Sequence, residues 1–433
     1  MREQIIKLAQ ELQDELINLR RDFHRYPEVG WTEFRTASIV AKHLEDYGYK
    51  VLLGEEVIDV DAMMGVPTAD VLSKHLDRAK AQGAAIEYLD KMQGGKTGVM
   101  AILKTDKPGP VTALRFDIDA NDMNEATEAS HRPVKEGFSS VNEGAMHACG
   151  HDGHAAIGLG VAKLLMEIRE ELTGTIKLIF QPAEEGVRGG ASMVAKGIVD
   201  DVDYMIGSHI GFGATETGKL ICGGNGFLAT TKLDATFTGI PAHAGAKPEE
   251  GKSALLAAAS ATMNMQGIYR HSSGASRINI GVLQAGSGRN VVPDHALLKL
   301  ETRGVTSEVN EFMKQEAIRM IKASAMTYDV NYEIKEMGGA MSGESDQEMV
   351  TLTREVAEDL NIFNEIKDYG DLGGSEDYTY FMNRVQKNGG KSNYVMIGTK
   401  IAAGHHDSFF DFDELVLSKG VALLVSMATQ LNT

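Results

Sequence analysis

The chain has 433 residues and a net charge of −18, and both figures exclude whole classes of protein. Its length exceeds what one hydrophobic core usually serves, so we predict two domains. The acidic balance argues against a nucleic acid or an anionic membrane as partner, and only two cysteines, Cys149 and Cys222, rule out a disulfide framework.

The N-terminal segment has the pattern of an amphipathic helix, because apolar residues recur at spacings of three and four from Ile5 to Phe23. It lacks the basic and then apolar order of a signal peptide. Nowhere does an apolar run approach the roughly 18 residues that cross a membrane. We therefore expect a cytoplasmic protein.

As far as residue 217, short apolar strands alternate with helices, which is typical of α/β domains. We predict buried strands at 111–116, 175–180 and 204–209, and a helix at 155–172. Chemically functional residues stand at or just past the carboxyl end of each strand, where open α/β sheets place their active-site crevice. Residues 57–92 form a polar, partly helical stretch without a chemical motif.

The pattern changes near residue 218. A strand, a helix, two strands, a helix and a strand are predicted, in the segments 230–238, 251–267, 277–284, 296–303, 307–325 and 328–334. That βαββαβ order predicts a ferredoxin-like unit inserted into the first domain. We place the insert at 218–336 and the α/β host domain at 1–217 and 337–433, closed by a strand at 393–398 and a helix at 414–431.

The densest chemical motif is Met146-His147-Ala148-Cys149-Gly150-His151-Asp152-Gly153-His154. Each of the three histidines taken alone could be a structural loop residue. Cys149 and His151, two apart in an extended loop, can point the same way, as metal ligands do. A reactive thiol at Cys149, activated by a nearby histidine, is the alternative.

A carboxylate pair, Glu184 and Glu185, follows the predicted strand at 175–180. Adjacent residues of an extended segment point to opposite sides, so one carboxylate can ligate a metal while the other takes a proton from water. A solvated strand end is the alternative for this pair. His209 could likewise be a structural histidine, and His405-His406 a polar surface loop.

Several motifs occur in an order that resembles the M20 metallopeptidase family. Its amidohydrolase branch is matched by Cys149-Gly150-His151-Asp152. The likeness runs over essentially the whole chain, and these are the motifs that carry it: His24-x-x-Pro27-Glu28 with Glu33 and Thr36, Arg115-x-Asp117-x-Asp119, His147-x-Cys149-Gly150-His151-Asp152-x-His154, Gln181-Pro182-Ala183-Glu184-Glu185, Gly374-Ser375-Glu376-Asp377 and His406 ahead of Phe410-Asp411-Phe412. One departure is Ala120-Asn121-Asp122, where the family usually has Ala-Leu-Pro.

The resemblance implies a metal-binding α/β catalytic domain with two divalent ions, Mn²⁺ or Zn²⁺. Thiolate and imidazole ligands suit zinc, whereas the resemblance suggests manganese. Glu184 would be the general base, and Asp119 would orient a ligand. Cys149 would bridge the ions, and the implied ligands are Cys149, His151, Glu185, His209 and His406.

The resemblance makes the inserted unit a dimerisation or lid domain. His243, in Gly239-x-x-Ala242-His243-Ala244, would polarise the scissile carbonyl in the partner subunit's site; a helix cap is the alternative. Asn290 and Arg303 match residues that bind a substrate carboxylate, and a plain surface arginine is the alternative for Arg303.

The resemblance implies hydrolysis of an amide between an aromatic acyl group and an amino acid. We expect p-aminobenzoyl-glutamate as substrate, with p-aminobenzoate and glutamate as products; a broader N-acyl-amino-acid hydrolase of the hippurate type is the alternative. From another class, a scaffold subunit without activity would keep the fold and bind no metal. The expected assembly is a homodimer through the inserted domain or a hetero-oligomer with a paralogous B-type subunit.

Overall fold

The computed structural model describes residues 2–433. The chain divides into two compact units. The first extends to Gly226 and resumes at Gly343–Leu372 and Asp377–Thr433, and the second comprises Phe227–Ser342 and Gly373–Glu376. Among the described residues, no helix is both long and apolar enough to cross a membrane.

The strands and helices are numbered here in chain order. The strands are β1 (Lys50–Leu53), β2 (Val99–Lys104), β3 (Val111–Asp117), β4 (Thr175–Gln181), β5 (Tyr204–Ile210), β6 (Lys219–Asn225), β7 (Ala229–Thr238), β8 (Ser276–Ala285), β9 (His295–Gly304), β10 (Asn331–Ala340), β11 (Glu365–Asp371) and β12 (Lys391–Ile397). The helices are α1 (Arg2–Glu11), α2 (Gln13–Arg25), α3 (Phe34–Asp46), α4 (Ala69–Ala81), α5 (Ile86–Met92), α6 (Arg132–Glu136), α7 (His151–Glu167), α8 (Gly190–Ala195), α9 (Ala254–Met265), α10 (Ser307–Thr327), α11 (Gln347–Leu360), α12 (Tyr378–Lys387) and α13 (Val416–Leu431).

The first unit is built on an eight-stranded sheet in the order β1-β2-β4-β3-β5-β12-β6-β11. Its centre is parallel, because β3 pairs with β4 and β5, and β5 pairs with β12, in parallel register. Six of the seven residues in each of these four strands are buried. Continuous burial is expected when helices cover both faces of a parallel sheet. The predicted α/β fold class is confirmed.

Helix α7 is buried along most of its length and carries the cysteine-histidine motif at its start. Its glycines allow this close packing. A Cβ on Gly158 would lie 2.6 Å from Phe180, and one on Gly160 would lie 2.7 Å from Leu16 and from Val421. The helix therefore packs closely against its neighbours, which fixes the position of His151 at its N-terminus.

The second unit has the order β7-α9-β8-β9-α10-β10 and one antiparallel sheet, β10-β7-β9-β8. This is the predicted ferredoxin-like βαββαβ unit. Buried alanines and leucines of the two helices and the sheet form its own core, including Ala257, Ala261, Leu298 and Ala317.

Three elements differ from the sequence prediction. The N-terminal helix is interrupted at Leu12 and forms α1 and α2. Strand β10 continues to Ala340 through Gly338 and Gly339, which carry no strand signal of their own but pair with β7. The predicted insert begins at residue 218, whereas β6 pairs with β11 and β12 in the large sheet, and the second unit begins at Phe227.

Candidate metal centre

Distant segments of the first unit meet beyond the carboxyl ends of its central parallel strands, as open α/β sheets favour. Cys149 precedes α7, and His151 is the first residue of that helix. Glu184 and Glu185 follow β4, and His209 lies in β5. His406 comes from the loop after β12, where its φ of +63° places the backbone in the left-handed region.

The five predicted ligands form two groups that share one residue. Cys149, His151 and His209 each offer a donor atom, and these three atoms lie within 4.8 Å of one another. Cys149, Glu185 and His406 form a second group of the same size. The Cys149 sulfur is 3.5 Å from His209 Nε2, and His406 Nε2 is 3.3 Å from Glu185 Oε1. Cys149 is the residue common to both groups.

Backbone carbonyls select the tautomers of two of these histidines. His151 Nδ1 donates to the Asp119 carbonyl at 2.9 Å, and His209 Nδ1 donates to the Ile210 carbonyl at 2.8 Å. A carbonyl oxygen only accepts, so Nδ1 carries the hydrogen and the Nε2 lone pair faces the cluster in each ring. Metal-binding histidines are commonly oriented in this way.

The donor set fits a divalent metal. His151 Nε2 is buried without a hydrogen-bond partner among the described residues. Buried polar atoms are seldom left so. A thiol, imidazoles and carboxylates surround this nitrogen, and these are ligand types of zinc and related transition metals.

The electrostatics of the cluster argue against a nucleophilic thiol. Burial raises the pKa of the Cys149 thiol, although the neighbouring His151 and His406 imidazoles oppose the shift. Hydrogen bonds with Cys149 and Glu185 raise the pKa of His406 to about 10. Nucleophilic cysteines are partly exposed and have a lowered pKa, whereas Cys149 is buried. Its environment suits a ligand better.

Asp119 holds the turn that carries the two glutamates. Its carboxylate accepts from the backbone N–H of Glu184 at 3.0 Å and of Glu185 at 2.9 Å. Because its own carbonyl also accepts from His151, Asp119 contacts both parts of the cluster. The turn is a constrained one, since Ala183 has a φ of +51°. Glu184 Oε2 lies 4.0 Å from His151 Nε2, at the edge of the cluster.

Two further residues, Asp117 and His154, support the cluster; the sequence analysis placed them in motifs but gave them no role. The Asp117 carboxylate contacts His154 Nδ1, and His154 Nε2 accepts from the Ile210 N–H at 3.0 Å. Both nitrogens of His154 are therefore engaged, and Asp117 also lies 3.8 Å from His151 Nε2. The spacing His151-x-x-His154, about one helical turn, was the sequence signal that places His154 on the same face of α7 as His151.

Behind α7 lies a buried ionic network centred on Arg20. Its guanidinium donates to Asp152 at 2.8 Å, to Asp411 at 2.9 Å and to Glu414 at 3.2 Å. Asp152 also contacts His24 Nδ1 at 2.8 Å. Since Asp152 directly follows His151, this network also holds the start of α7 in place.

The remaining predicted site residues lie in the second unit. His243 is exposed, and its Nδ1 accepts from the N–H groups of Gly245 at 3.2 Å and Ala246 at 3.1 Å. Asn290 is near it, since the Asn290 carbonyl accepts from the Ala244 N–H at 3.0 Å. Arg303 forms a bidentate salt bridge with Glu301 of the same strand, with N–O distances of 3.0 and 3.3 Å.

Comparisons with known proteins identify the family of this chain. The profile of peptidase family M20/M25/M40 matches residues 113–430. The chain is 49% identical to a p-aminobenzoyl-glutamate hydrolase subunit of Escherichia coli, over 98% of each chain. It is also 49% identical to indole-3-acetyl-aspartic acid hydrolase of Enterobacter agglomerans, over 96% of each chain.

Among solved structures, the aminobenzoyl-glutamate utilization protein of Klebsiella pneumoniae superposes with a TM-score of 0.85 and 41% identity, over 99% of this chain and 98% of that one. Both the predicted resemblance and the prediction of a hydrolase are confirmed at the level of the family. The chain belongs to peptidase family M20/M25/M40.

Proposed function

We propose that this protein is a di-metal amidohydrolase that cleaves p-aminobenzoyl-glutamate to p-aminobenzoate and glutamate. The two donor groups that share Cys149 carry the proposal, because a shared thiolate suits a pair of ions. The names of the two 49% identical relatives support the substrate class. Both describe an aromatic acyl group joined to an acidic amino acid.

Two divalent ions, Mn²⁺ or Zn²⁺, held by Cys149, His151, Glu185, His209 and His406, would supply Lewis acidity to water and to the amide carbonyl. Asp119 keeps the Glu184–Glu185 turn in place through its two backbone hydrogen bonds. Glu184 takes a proton from the attacking water and delivers it to the amide nitrogen. The carbonyl carbon gains the water oxygen as the C–N bond breaks.

A second candidate is a broader hydrolase of N-acyl amino acids, including hippurate. It is favoured by the relative named for indole-3-acetyl-aspartate, which matches the chain with the same identity. Steady-state kinetics on p-aminobenzoyl-glutamate and hippurate decide between the two. We expect kcat/KM to be at least tenfold higher for p-aminobenzoyl-glutamate; equal values would support the broader enzyme.

We predict that Cys149 is a ligand and not a nucleophile. A thiolate committed to a metal resists alkylation, so iodoacetamide should label Cys149 slowly in the metal-loaded protein and faster after chelation. Cys222 is the matched control, because it is also buried but lies in β6 outside the cluster. Rapid labelling of the metal-loaded protein at Cys149 with parallel loss of activity would favour a cysteine hydrolase.

In the second unit, we propose that His243 donates a hydrogen bond to the substrate carbonyl in a partner subunit's site. Two backbone N–H groups point to His243 Nδ1, so its Nε2 carries the hydrogen in the neutral ring. The proposal also assigns Asn290 and Arg303 to the substrate carboxylate. For Arg303 this requires exchange of its present partner Glu301.

We predict that His243→Ala keeps its metal and its oligomeric state and loses roughly 3–4 kcal/mol of transition-state stabilisation. Mixing His243→Ala subunits with Glu184→Gln subunits tests whether the site is shared. A shared site restores one intact site per mixed dimer. Mixed dimers that are confirmed by mass and remain inactive would contradict donation across the interface.

The assembly is proposed to be a homodimer through the second unit or a hetero-oligomer with a paralogous B-type subunit, and the compartment to be the cytoplasm. Native mass measurement of the chain expressed alone separates the two assemblies. A dimer active on p-aminobenzoyl-glutamate supports the first, and a monomer that gains activity only with a second subunit supports the other.

A further inference from the structure

The connection between β1 and β2 is far longer than its geometry requires. The two strands are antiparallel neighbours, and Leu53 lies opposite Val99. A hairpin turn of two to about five residues can join such strands, but here residues 54–98 intervene and contain α4 and α5. None of the proposed metal ligands comes from this segment.

The segment is attached to the turn that carries Glu184 and Glu185. Trp31 Nε1 donates to the Met64 carbonyl at 2.8 Å, and Arg188 Nη1 donates to the Gly65 carbonyl at 3.3 Å. The same guanidinium donates through Nε to the Glu185 carbonyl at 2.9 Å. Arg188 therefore links the loop at residues 63–66 to the backbone of a proposed metal ligand.

Helix α4 of the same segment lies near Asp122, in the segment that contacts the residue before Cys149. Arg78 Nη2 lies 2.9 Å from His75 Nδ1. Burial and then the Arg78 charge lower the pKa of His75 to about 4, and the Asp122 carboxylate opposes this shift. Asp122 follows Asn121, whose side chain accepts from the Ala148 N–H at 3.0 Å, directly before Cys149. Residues 121–122, which depart from the family pattern, therefore lie near α4.

The loop offers an apolar surface at this edge. Its sequence is Met63-Met64-Gly65-Val66, with both methionines half-buried and Val66 38% exposed. Gly65 has a φ of +61°, a conformation that suits glycine and turns the chain there. Methionine side chains adapt to aromatic rings through their flexible thioethers.

We infer that the loop at residues 63–66 is the wall against which the aromatic acyl group of the substrate packs, and that Arg188 is its positioning residue. This inference rests on the proposed function and names the part of the chain that selects the acyl group. Arg188 and Trp31 hold the backbone of the loop beside the Glu184–Glu185 turn. The inferred contact is between the two methionines of the loop and an aryl group on the scissile carbonyl.

The wall is tested by the double variant Met63→Ala/Met64→Ala in the metal-loaded full chain. The readout is the ratio of kcat/KM for p-aminobenzoyl-glutamate to that for N-acetyl-glutamate, two amides that share the glutamate and differ in the acyl group. We expect this ratio to fall about tenfold, mainly through KM for the aromatic substrate, as apolar contact is lost. Ile86→Ala, 66% exposed at the start of α5, is the matched control and should leave the ratio within about twofold.

The positioning role is tested with Arg188→Ala and Arg188→Lys. Loss of the guanidinium fork should lower the same ratio about tenfold, and lysine should restore little because it lacks the fork. Trp31 is the single tryptophan, so its fluorescence reports the loop directly. We expect a red shift in both Arg188 variants, since a loosened loop exposes the indole that bonds to Met64.

An equal change in kcat/KM for both substrates, or no change for either, would contradict the inference that this loop contacts the acyl group. An unchanged Trp31 spectrum with an unchanged ratio would overturn the role of Arg188. If the wild-type chain hydrolyses neither substrate, the proposed function fails, and calorimetric binding of N-benzoyl-glutamate against N-acetyl-glutamate decides the inference separately. Weaker binding of the benzoyl compound alone in the double variant supports it, and parallel changes contradict it.

Discussion

Glu184→Gln is expected to lower kcat by about 100- to 10,000-fold or more while leaving the metal content unchanged. Loss of a general base has an effect of this size, and the same carboxylate is proposed to protonate the leaving nitrogen. The amide of glutamine is nearly isosteric and cannot take a proton. Turnover of p-aminobenzoyl-glutamate and elemental analysis of the purified variant provide the two measurements.

Glu185→Gln is the matched control, because the two glutamates are adjacent and their N–H groups bond to the same Asp119 carboxylate. This variant should lose metal as well as activity, since Glu185 lies with Cys149 and His406 in one donor group. If Glu184→Gln loses its metal and Glu185→Gln retains it, the roles of the two residues are reversed.

Arg20→Met is expected to lower the free energy of unfolding by about 3–5 kcal/mol. The side chains of Arg20 and Asp152 are fully buried, and those of Asp411 and Glu414 nearly so. Removing one partner of a buried network leaves the other charges uncompensated, which has an effect of this size. Denaturant unfolding of the metal-free protein measures the loss without a contribution from metal binding.

Arg2→Met is the control, because the pair of Arg2 with Asp359 is exposed and should contribute less than about 1 kcal/mol. The effect of Arg20 should also depend on pH. Burial acts to raise the pKa of Asp152, but the Arg20 and His24 charges outweigh it and hold that pKa well below its usual value. This carboxylate therefore stabilises the fold above its unfolded pKa of about 3.9, and the contribution is lost as pH falls below that value. The difference between wild type and variant should shrink in acid; a difference independent of pH would contradict an ionic origin.

Local motifs were sufficient to predict the residues at the centre of the candidate site. Cys149 and His151 stand two residues apart, and Glu184 and Glu185 follow a strongly apolar strand, so short-range pattern alone indicates a ligand cluster. The elements of the second unit were equally accessible, because each has the period of an exposed helix or a half-buried strand. The position of His154 could also have been predicted, since its helical spacing from His151 was present in the sequence.

What the sequence did not reveal depends on contacts between distant segments. Strand β6 belongs to the large sheet only through its pairing with β11 and β12, some 140 to 180 residues away. Arg20 resembles a surface arginine of an amphipathic helix until its partners from residues 152, 411 and 414 are in place. Arg188 belongs to no motif. Its position is fixed by hydrogen bonds to the Gly65 carbonyl, in the loop at residues 63–66, and to the Glu185 carbonyl.

We propose that hydrolysis depends on a pair of ions held by Cys149, His151, Glu185, His209 and His406. The most direct test of this dependence measures metal content and p-aminobenzoyl-glutamate hydrolysis on the same sample. Both are measured before chelation, after chelation and after addition of Mn²⁺ or Zn²⁺. The expected result is two divalent ions per chain, with activity that disappears on chelation and returns with the metal. Full activity in the chelated protein, or a chain that binds no metal and hydrolyses nothing, would contradict it.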